Sequence, residues 1–376
     1  MTGIGIVGCG FVADLYMQSL RQHPDLALVG VFDIDEARAS RFCAYYAVQR
    51  FDSLDQLLRD GRVRVVLNLT NPRAHFEISR RCLEAGRHVY SEKPLAMDFS
   101  EAKELVALAQ NRSLWISSAP CSLLGETAQT MWRALRARAV GAVRVVYAEL
   151  DDGLVHRMPY RNWLSESGAP WPYRDEFEVG CTLEHAGYYL TWLIAFFGPV
   201  QSMTAWASVQ VPDKLPGEQL QVASPDFSVA CLQFKSGVTA RLTCSIVAPH
   251  DHELRIVGDD GVLATRDCWM YRSPVTVRRM MRIRRRQFFL PWTKRFPLAG
   301  AGNPKPLARG AAQMDWCRGV SDLAQAIQEG RKPRLAPDFC LHVTELSLGI
   351  HNAARSPGNI PISTTFEPVE PMPWAL

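Results

Sequence analysis

Residues 1–13 read Met1-Thr2-Gly3-Ile4-Gly5-Ile6-Val7-Gly8-Cys9-Gly10-Phe11-Val12-Ala13. An apolar run, Ile4, Ile6 and Val7, passes directly into a G-x-G-x-x-A turn, the pattern of a strand feeding a helix across a phosphate site. Gly8 permits the tight turn. Gly10 lets the backbone N–H groups of Phe11 and Val12 approach a pyrophosphate, and small Ala13 allows helix and strand to pack closely, with the helix N-terminus facing the negative charge. A second apolar stretch, Leu26 to Phe32, ends in Asp33, twenty residues beyond Ala13. An acid there accepts hydrogen bonds from both hydroxyls of an adenosine ribose and repels a 2′-phosphate. The expected cofactor is NAD, with NADP disfavoured; Arg38 weakens that preference.

Strand and helix signals alternate onward to about residue 117. Val63 to Leu69 leads into Thr70-Asn71-Pro72, a helical stretch from Ala74 to Ala85 stops at Gly86, and Val89-Tyr90 delivers Glu92-Lys93-Pro94. This repetition predicts a doubly wound parallel sheet with helices on both faces, an α/β Rossmann domain over residues 1–120. Gly8, Asp33, Asn71 and Lys93 all fall at the carboxyl ends of its strands, so they converge on one crevice. After residue 120 the pattern changes. A helix from Glu126 to Ala139, a strand from Val143 to Leu150, a Pro/Trp-rich loop from Leu154 to Arg174 and a helix from Leu183 to Phe197 precede a run of strands: Gln201 to Val211, Phe227 to Phe234, Val238 to Val247 and Glu253 to Val257. Turn-linked strands imply a large, mostly antiparallel open-faced sheet, so residues 121–376 are expected to form an α+β substrate-binding and oligomerisation domain. Helices from Asp315 to Gln328 and Pro337 to Ala354 follow, and the last of them is placed either on that sheet or back on the first domain.

Composition narrows the class. Hydrophobic residues make up 47% of 376, enough for large cores, and no apolar run approaches the ~20 residues of a membrane span, so a cytoplasmic location is expected. The ten cysteines are scattered with no C-x-x-C pair and read as reduced core residues, and no metal site is expected. The net charge of +4 conceals an asymmetry: Cys268 to Met314 holds eleven Lys or Arg and no acid, leaving 31 basic against 38 acidic residues elsewhere. The centre of that stretch, Arg278 to Arg295, carries Phe288, Phe289 and Trp292. A solvated loop, a charged strand edge, an anionic-substrate surface and a contact for anionic lipid all fit it; no motif points to nucleic acid.

The chain resembles the Gfo/Idh/MocA oxidoreductases over essentially its whole length. The resemblance is carried by Gly8-x-Gly10-x-x-Ala13, by Asp33, by Thr70-Asn71-Pro72-x-x-His75, and above all by Ala85-Gly86-x-His88-Val89-x-x-Glu92-Lys93-Pro94-Leu95-Ala96. It implies hydride transfer between NAD(P) and a hydroxyl-bearing carbon of a sugar, nucleotide sugar or polyol, and a homodimer or homotetramer. It also implies that Lys93 lies near both nicotinamide and substrate. That fits elementary chemistry, since an ammonium stabilises the alkoxide that develops as an alcohol is oxidised. Glu92 is a candidate to orient the ammonium.

Two departures from the family pattern bear on function. Where relatives carry Asp-x-Gly-x-His followed by a further Asp, this chain has Glu184-His185-Ala186-Gly187-Tyr188 and then Thr191, so Glu184 stands for the first acid and Tyr188 for the proton-transfer histidine. On one continuous helix Glu184 and Tyr188 share a face and His185 lies about 100° away. The expected catalytic set is Lys93, Tyr188 and Glu184, with the Lys93 charge drawing the Tyr188 pKa down; the alternative is a non-catalytic NAD-binding sensor or regulator. The Asn-x-Arg segment of relatives is replaced by Ser118-Ala119-Pro120-Cys121-Ser122. Substrate contacts are therefore sought at Arg161, Trp163, Arg174 and His185 as well as at Lys93, Glu184 and Tyr188.

Overall fold

A computed structural model of the chain describes residues 1–218, 220–300, 313–355 and 358–376. The apolar runs of the first part form five parallel strands, β1 (Thr2–Val7), β2 (Leu26–Phe32), β3 (Val65–Asn68), β4 (His88–Ser91) and β5 (Ile116–Ser118), in the order β2-β1-β3-β4-β5. Every residue of β3 is buried, as a strand covered on both faces requires. The helices of this part are α1 (Phe11–Leu20), α2 (Glu36–Tyr46), α3 (Leu54–Arg59), α4 (His75–Glu84) and α5 (Phe99–Asn111). Asp35, Ser53 and Asp98 start α2, α3 and α5 by accepting the amides of Arg38, Gln56 and Ser100, which satisfies donors that the helix leaves unpaired. Because all five strands run the same way, Gly8, Asp33, Thr70, Lys93 and Ala119 emerge on one edge, and the strand order reverses between β1 and β3 there.

The second part contains α6 (Glu126–Arg136), β6 (Val143–Leu154), α7 (Tyr173–Val179), α8 (Cys181–His185), α9 (Gly187–Phe197), β7 (Val200–Ser208), β8 (Phe227–Phe234), β9 (Thr239–Ser245), β10 (Val247–Asp251), β11 (Leu254–Gly258), β12 (Gly261–Thr265), β13 (Thr276–Ile283), β14 (Arg286–Phe289) and β15 (Lys294–Arg295). After α10 (Arg318–Glu329) and α11 (Pro337–His351), β16 (Asn359–Pro361) adds an edge. The sheet runs β14-β13-β12-β11-β6-β9-β8-β7-β16, with β10 on β6 and β15 on β13. Only the β6–β9 pair is parallel among the described strands of this sheet. In β8 alternate residues are buried, so one face lies on the core. The basic stretch is an ordered, exposed hairpin: β13 and β14 pair from Met280↔Phe289 to Ile283↔Arg286, with Arg284 at φ 54 in the turn. Among the described residues no helix is long and apolar enough to cross a membrane.

The last two helices return to the first sheet. Gln328 donates to the Thr2 hydroxyl at 2.8 Å and Ser321 to Asp25 at 2.6 Å, while α11 packs on α5 and β5. A buried charge network secures this junction: Arg318 reaches Glu126 and Asp315, each at 3.0 Å, and stacks on Tyr271. Burial alone would lower the Arg318 pKa, but Asp315 and Glu126 outweigh it and hold the charge. Removing one member strands the others, so Arg318→Ala should cost about 3–5 kcal/mol in chemical denaturation. A loss below about 1 kcal/mol would show that the network relaxes at little cost.

Candidate active site

The glycine turn is built as the sequence requires. Gly8 has φ 99, and an added Cβ there would lie 2.6 Å from the Leu69 carbonyl oxygen. Gly10 is the N-cap of α1, with no side-chain cap, and a Cβ there would meet nothing within 4 Å. The first amides of α1 therefore face an open cradle, which suits a pyrophosphate. Asp33 closes the far side. Its carboxylate accepts Cys9 N at 2.7 Å and Asp35 N at 2.8 Å, and Arg38 stands 3.4 Å away. The long loop before α7 reaches across to α1, where the Ser167 amide and hydroxyl both donate to Asp14. These residues fit a dinucleotide.

The Glu92-Lys93-Pro94 turn is held from three sides. Tyr16 donates to Glu92 Oε1 at 2.7 Å, and Glu92 Oε2 accepts Lys93 N at 3.1 Å. His75 is fully buried and bonds the carbonyls of Pro94 (2.7 Å) and Thr70 (3.0 Å), which ties this turn to the Thr70-Asn71-Pro72 loop. His75 is thus a strut between the two loops. The expectation that Glu92 orients the ammonium fails, because its carboxylate is spent on Tyr16 and the backbone. Glu184 takes that role, with Oε2 paired to Lys93 Nζ. Burial opposes the Lys93 charge, yet Glu184 outweighs it, aided by Tyr188, Glu176 and Glu92, so the ammonium is held above its ordinary pKa.

Ala186, between α8 and α9, keeps helical backbone angles (φ −54, ψ −33), and its N–H bonds Thr182 while its carbonyl accepts Leu190, so His185 and Tyr188, three residues apart, share a face. His185 is not turned away. Its ring and that of Tyr188 both pack on Trp269, at 5.9 and 5.4 Å between centroids. Tyr188 also borders an open recess of about 220 Å³ with Tyr16, Tyr271 and Trp316. The expected lowering of the Tyr188 pKa is corrected as well: burial raises it, and Lys93 offsets only part of the rise. His185 sits 3.4 Å from Glu176 and 3.9 Å from Asp152. Burial and the Lys93 charge keep its imidazole neutral, while burial and Glu184 push the Glu176 carboxyl well up.

The other substrate candidates have partners of their own. Arg161 pairs with Glu218, Arg174 pairs with Glu218 and Glu178, and Trp163 packs on Trp171 at 5.0 Å. Among the described residues no hydrogen bond or ion pair joins Arg161 or Trp163 to Lys93, Glu184 or Tyr188. Tyr16, Asp152, Glu176, His252 and Trp269 line or flank the cluster and were not anticipated. Each comes from a different element, and neither periodicity nor local spacing marks such a set.

A phosphate cradle at the head of a parallel sheet, with a part-buried lysine–carboxylate pair at another strand end of the same edge, defines a dinucleotide-dependent oxidoreductase. Residues 2–119 match the oxidoreductase family with an NAD-binding Rossmann fold, and residues 128–264 match the GFO/IDH/MocA C-terminal domain. The chain belongs to the Gfo/Idh/MocA family of NAD-binding oxidoreductases. It is 26% identical to the trans-1,2-dihydrobenzene-1,2-diol dehydrogenase of Bos taurus over 271 residues, 70% of this chain and 74% of that one. The fold matches levoglucosan dehydrogenase, solved with NADH and levoglucosan, with a TM-score of 0.78 at 16% identity, covering 96% of this chain and 100% of that chain. It also matches the WlbA dehydrogenase of Bordetella pertussis, solved with NADH and UDP-GlcNAcA, with a TM-score of 0.73 at 18% identity, covering 96% and 98%.

Proposed function

We propose that this protein is an NAD-dependent dehydrogenase acting on a ring carbon that bears a hydroxyl group, in a sugar, nucleotide sugar or alicyclic vicinal diol. The observation that carries the reading is the pair of part-buried Lys93 with buried Glu184, beside Tyr188. NAD, when bound, accepts or returns the hydride. Lys93 keeps a positive charge where the substrate oxygen becomes anionic, and Glu184 fixes the ammonium in place. Tyr188, held protonated by burial, donates its proton to a carbonyl in reduction. In oxidation it must first give its own proton to solvent; the phenolate, which the Lys93 charge stabilises, then takes the alcohol proton. In this division of labour residues 1–120 hold the cofactor and residues 121–376 the substrate. The named relatives support the substrate class, since a dihydrodiol and an anhydrosugar both present ring carbinols. A nicotinamide absorbance assay across cyclic diols, free sugars and nucleotide sugars tests it. Turnover of at least one ring carbinol is expected; activity confined to open-chain alcohols would overturn the substrate class.

We also propose a homodimer or homotetramer, which light scattering in solution measures directly, and an anionic lipid surface as partner of the β13–β14 hairpin. Arginines alternate there with exposed Met281, Ile283, Phe288 and Phe289, and Trp292 is 64% exposed just beyond. Such residues dip into a headgroup layer while the arginines meet its charge. Arg282, Arg284, Arg285 and Arg286 replaced together by Gln should weaken binding to phosphatidylserine vesicles about tenfold or more, at ~1 kcal/mol per charge, and added salt should shrink the difference. Wild-type protein that ignores such vesicles would leave the hairpin a solvated edge.

A further inference from the structure

We infer that Asp152, His250 and His252 form a binding site for one divalent transition-metal ion. His250 lies in β10 and His252 directly follows its last residue, Asp251, and the two imidazoles are 4.0 Å apart between centroids. β10 pairs with β6 through Asp251↔Asp151, which brings the following Asp152 alongside. Asp152 Oδ1 is 3.8 Å from His250 Nδ1 and 3.8 Å from His252 Nε2. These separations exceed a hydrogen bond. They are near the ~3.3 Å between ligands that each sit about 2.0–2.1 Å from a shared ion, so a metal would draw each ligand in by only a few tenths of an ångström.

Three further observations point to a ligand. His252 is fully buried, yet neither ring nitrogen has a hydrogen-bond partner among the described residues. A buried imidazole left so incurs a desolvation penalty that a coordinated ion removes. The Asp152 side chain, 25% exposed, likewise makes no hydrogen bond among the described residues. Behind His252, Asp267 Oδ1 stands 3.5 Å from Nδ1 and is itself fixed by the Trp269 amide at 2.7 Å. A carboxylate on that side favours the proton on Nδ1 and leaves the Nε2 lone pair aimed at Asp152, the orienting arrangement found behind metal-bound histidines.

Two imidazoles and one carboxylate suit Zn²⁺ or Fe²⁺, and three protein ligands leave positions open. The His250 side chain is 54% exposed, which provides a route in. His185 lies 3.9 Å from the other Asp152 oxygen and packs on Trp269 beside Tyr188, so the ion adjoins the proposed proton-transfer cluster. On the dehydrogenase reading, the open positions would take substrate oxygens, and a substrate chelating through vicinal hydroxyls or a carboxylate would gain affinity. Metal binding itself does not depend on that reading.

The test uses untagged, EDTA-treated protein titrated with Zn²⁺ by calorimetry and with Co²⁺ by visible absorption. Wild type should bind one ion. His250→Ala, at an exposed position, and Asp152→Asn should each weaken Zn²⁺ binding at least tenfold while NAD affinity, measured in parallel, shows that the fold is intact. Zn²⁺ affinity in the wild type no greater than in the Asp152→Asn, His250→Ala double variant would overturn the proposal and mark the cluster as water-filled. Metal binding by an enzyme inactive on every carbinol would leave this site standing and remove only the substrate reading.

Discussion

Lys93→Ala is expected to lower kcat by about 10²-fold or more while leaving NAD affinity within a few-fold. The part-buried ammonium sits beside Glu184, which outweighs the cost of desolvation and holds its charge. A charge so placed acts on the developing alkoxide far more strongly than it would in water. Glu184→Gln should follow in the same direction with a smaller fall, because it loosens the ammonium and adds no charge of its own. Steady-state kinetics with the best ring carbinol separate the effects: a KM rise at constant kcat would mean that Lys93 only binds substrate.

NADH should bind at least about tenfold more tightly than NADPH, and Asp33→Ser should erase most of that difference. A 2′-phosphate brought within ~4 Å of the Asp33 carboxylate meets about 4 kcal/mol of repulsion at an effective dielectric of 20, reduced here by Arg38 at 3.4 Å. Once Asp33 is gone, Arg38, which keeps Asp35 at 3.3 Å, can turn its other nitrogen to the phosphate, so the variant gains NADPH affinity as well as losing NADH affinity. Fluorescence titration of both reduced cofactors measures this. Equal affinities in the wild type would show that Arg38 already cancels Asp33.

Local chemistry was legible in the sequence wherever one segment carries it. The Gly8 turn, the Asp33 strand end and the Glu92-Lys93-Pro94 turn each occupy a single βα junction, and the parallel sheet brings all three to one edge. β2 and β8 fall on the expected residues, since continuous or alternating apolar runs leave little choice. The second half of the site was not legible, because its residues come from separate elements and meet only through tertiary packing. His185 and Tyr188, three residues apart, share a helix face, but the Trp269 ring on which both pack comes from a distant loop that local spacing does not mark. Glu92 shows the same limit: its neighbour in sequence is Lys93, but its hydroxyl partner, Tyr16, is 76 residues away. The ion pairs of Arg161 and Arg174 likewise depend on Glu218, placed by a distant loop.

The most direct test of the proposed chemistry is single-turnover NADH formation by Tyr188→Phe and His185→Ala, with enzyme and NAD in excess over a ring-carbinol substrate. The Tyr188 phenolate, once the phenol has given its proton to solvent, is proposed to take the alcohol proton, so Tyr188→Phe should slow the hydride step by about 10²-fold or more, with His185→Ala affected far less. A Tyr188→Phe enzyme that keeps the wild-type rate while His185→Ala loses it would contradict the account and assign the proton to the imidazole.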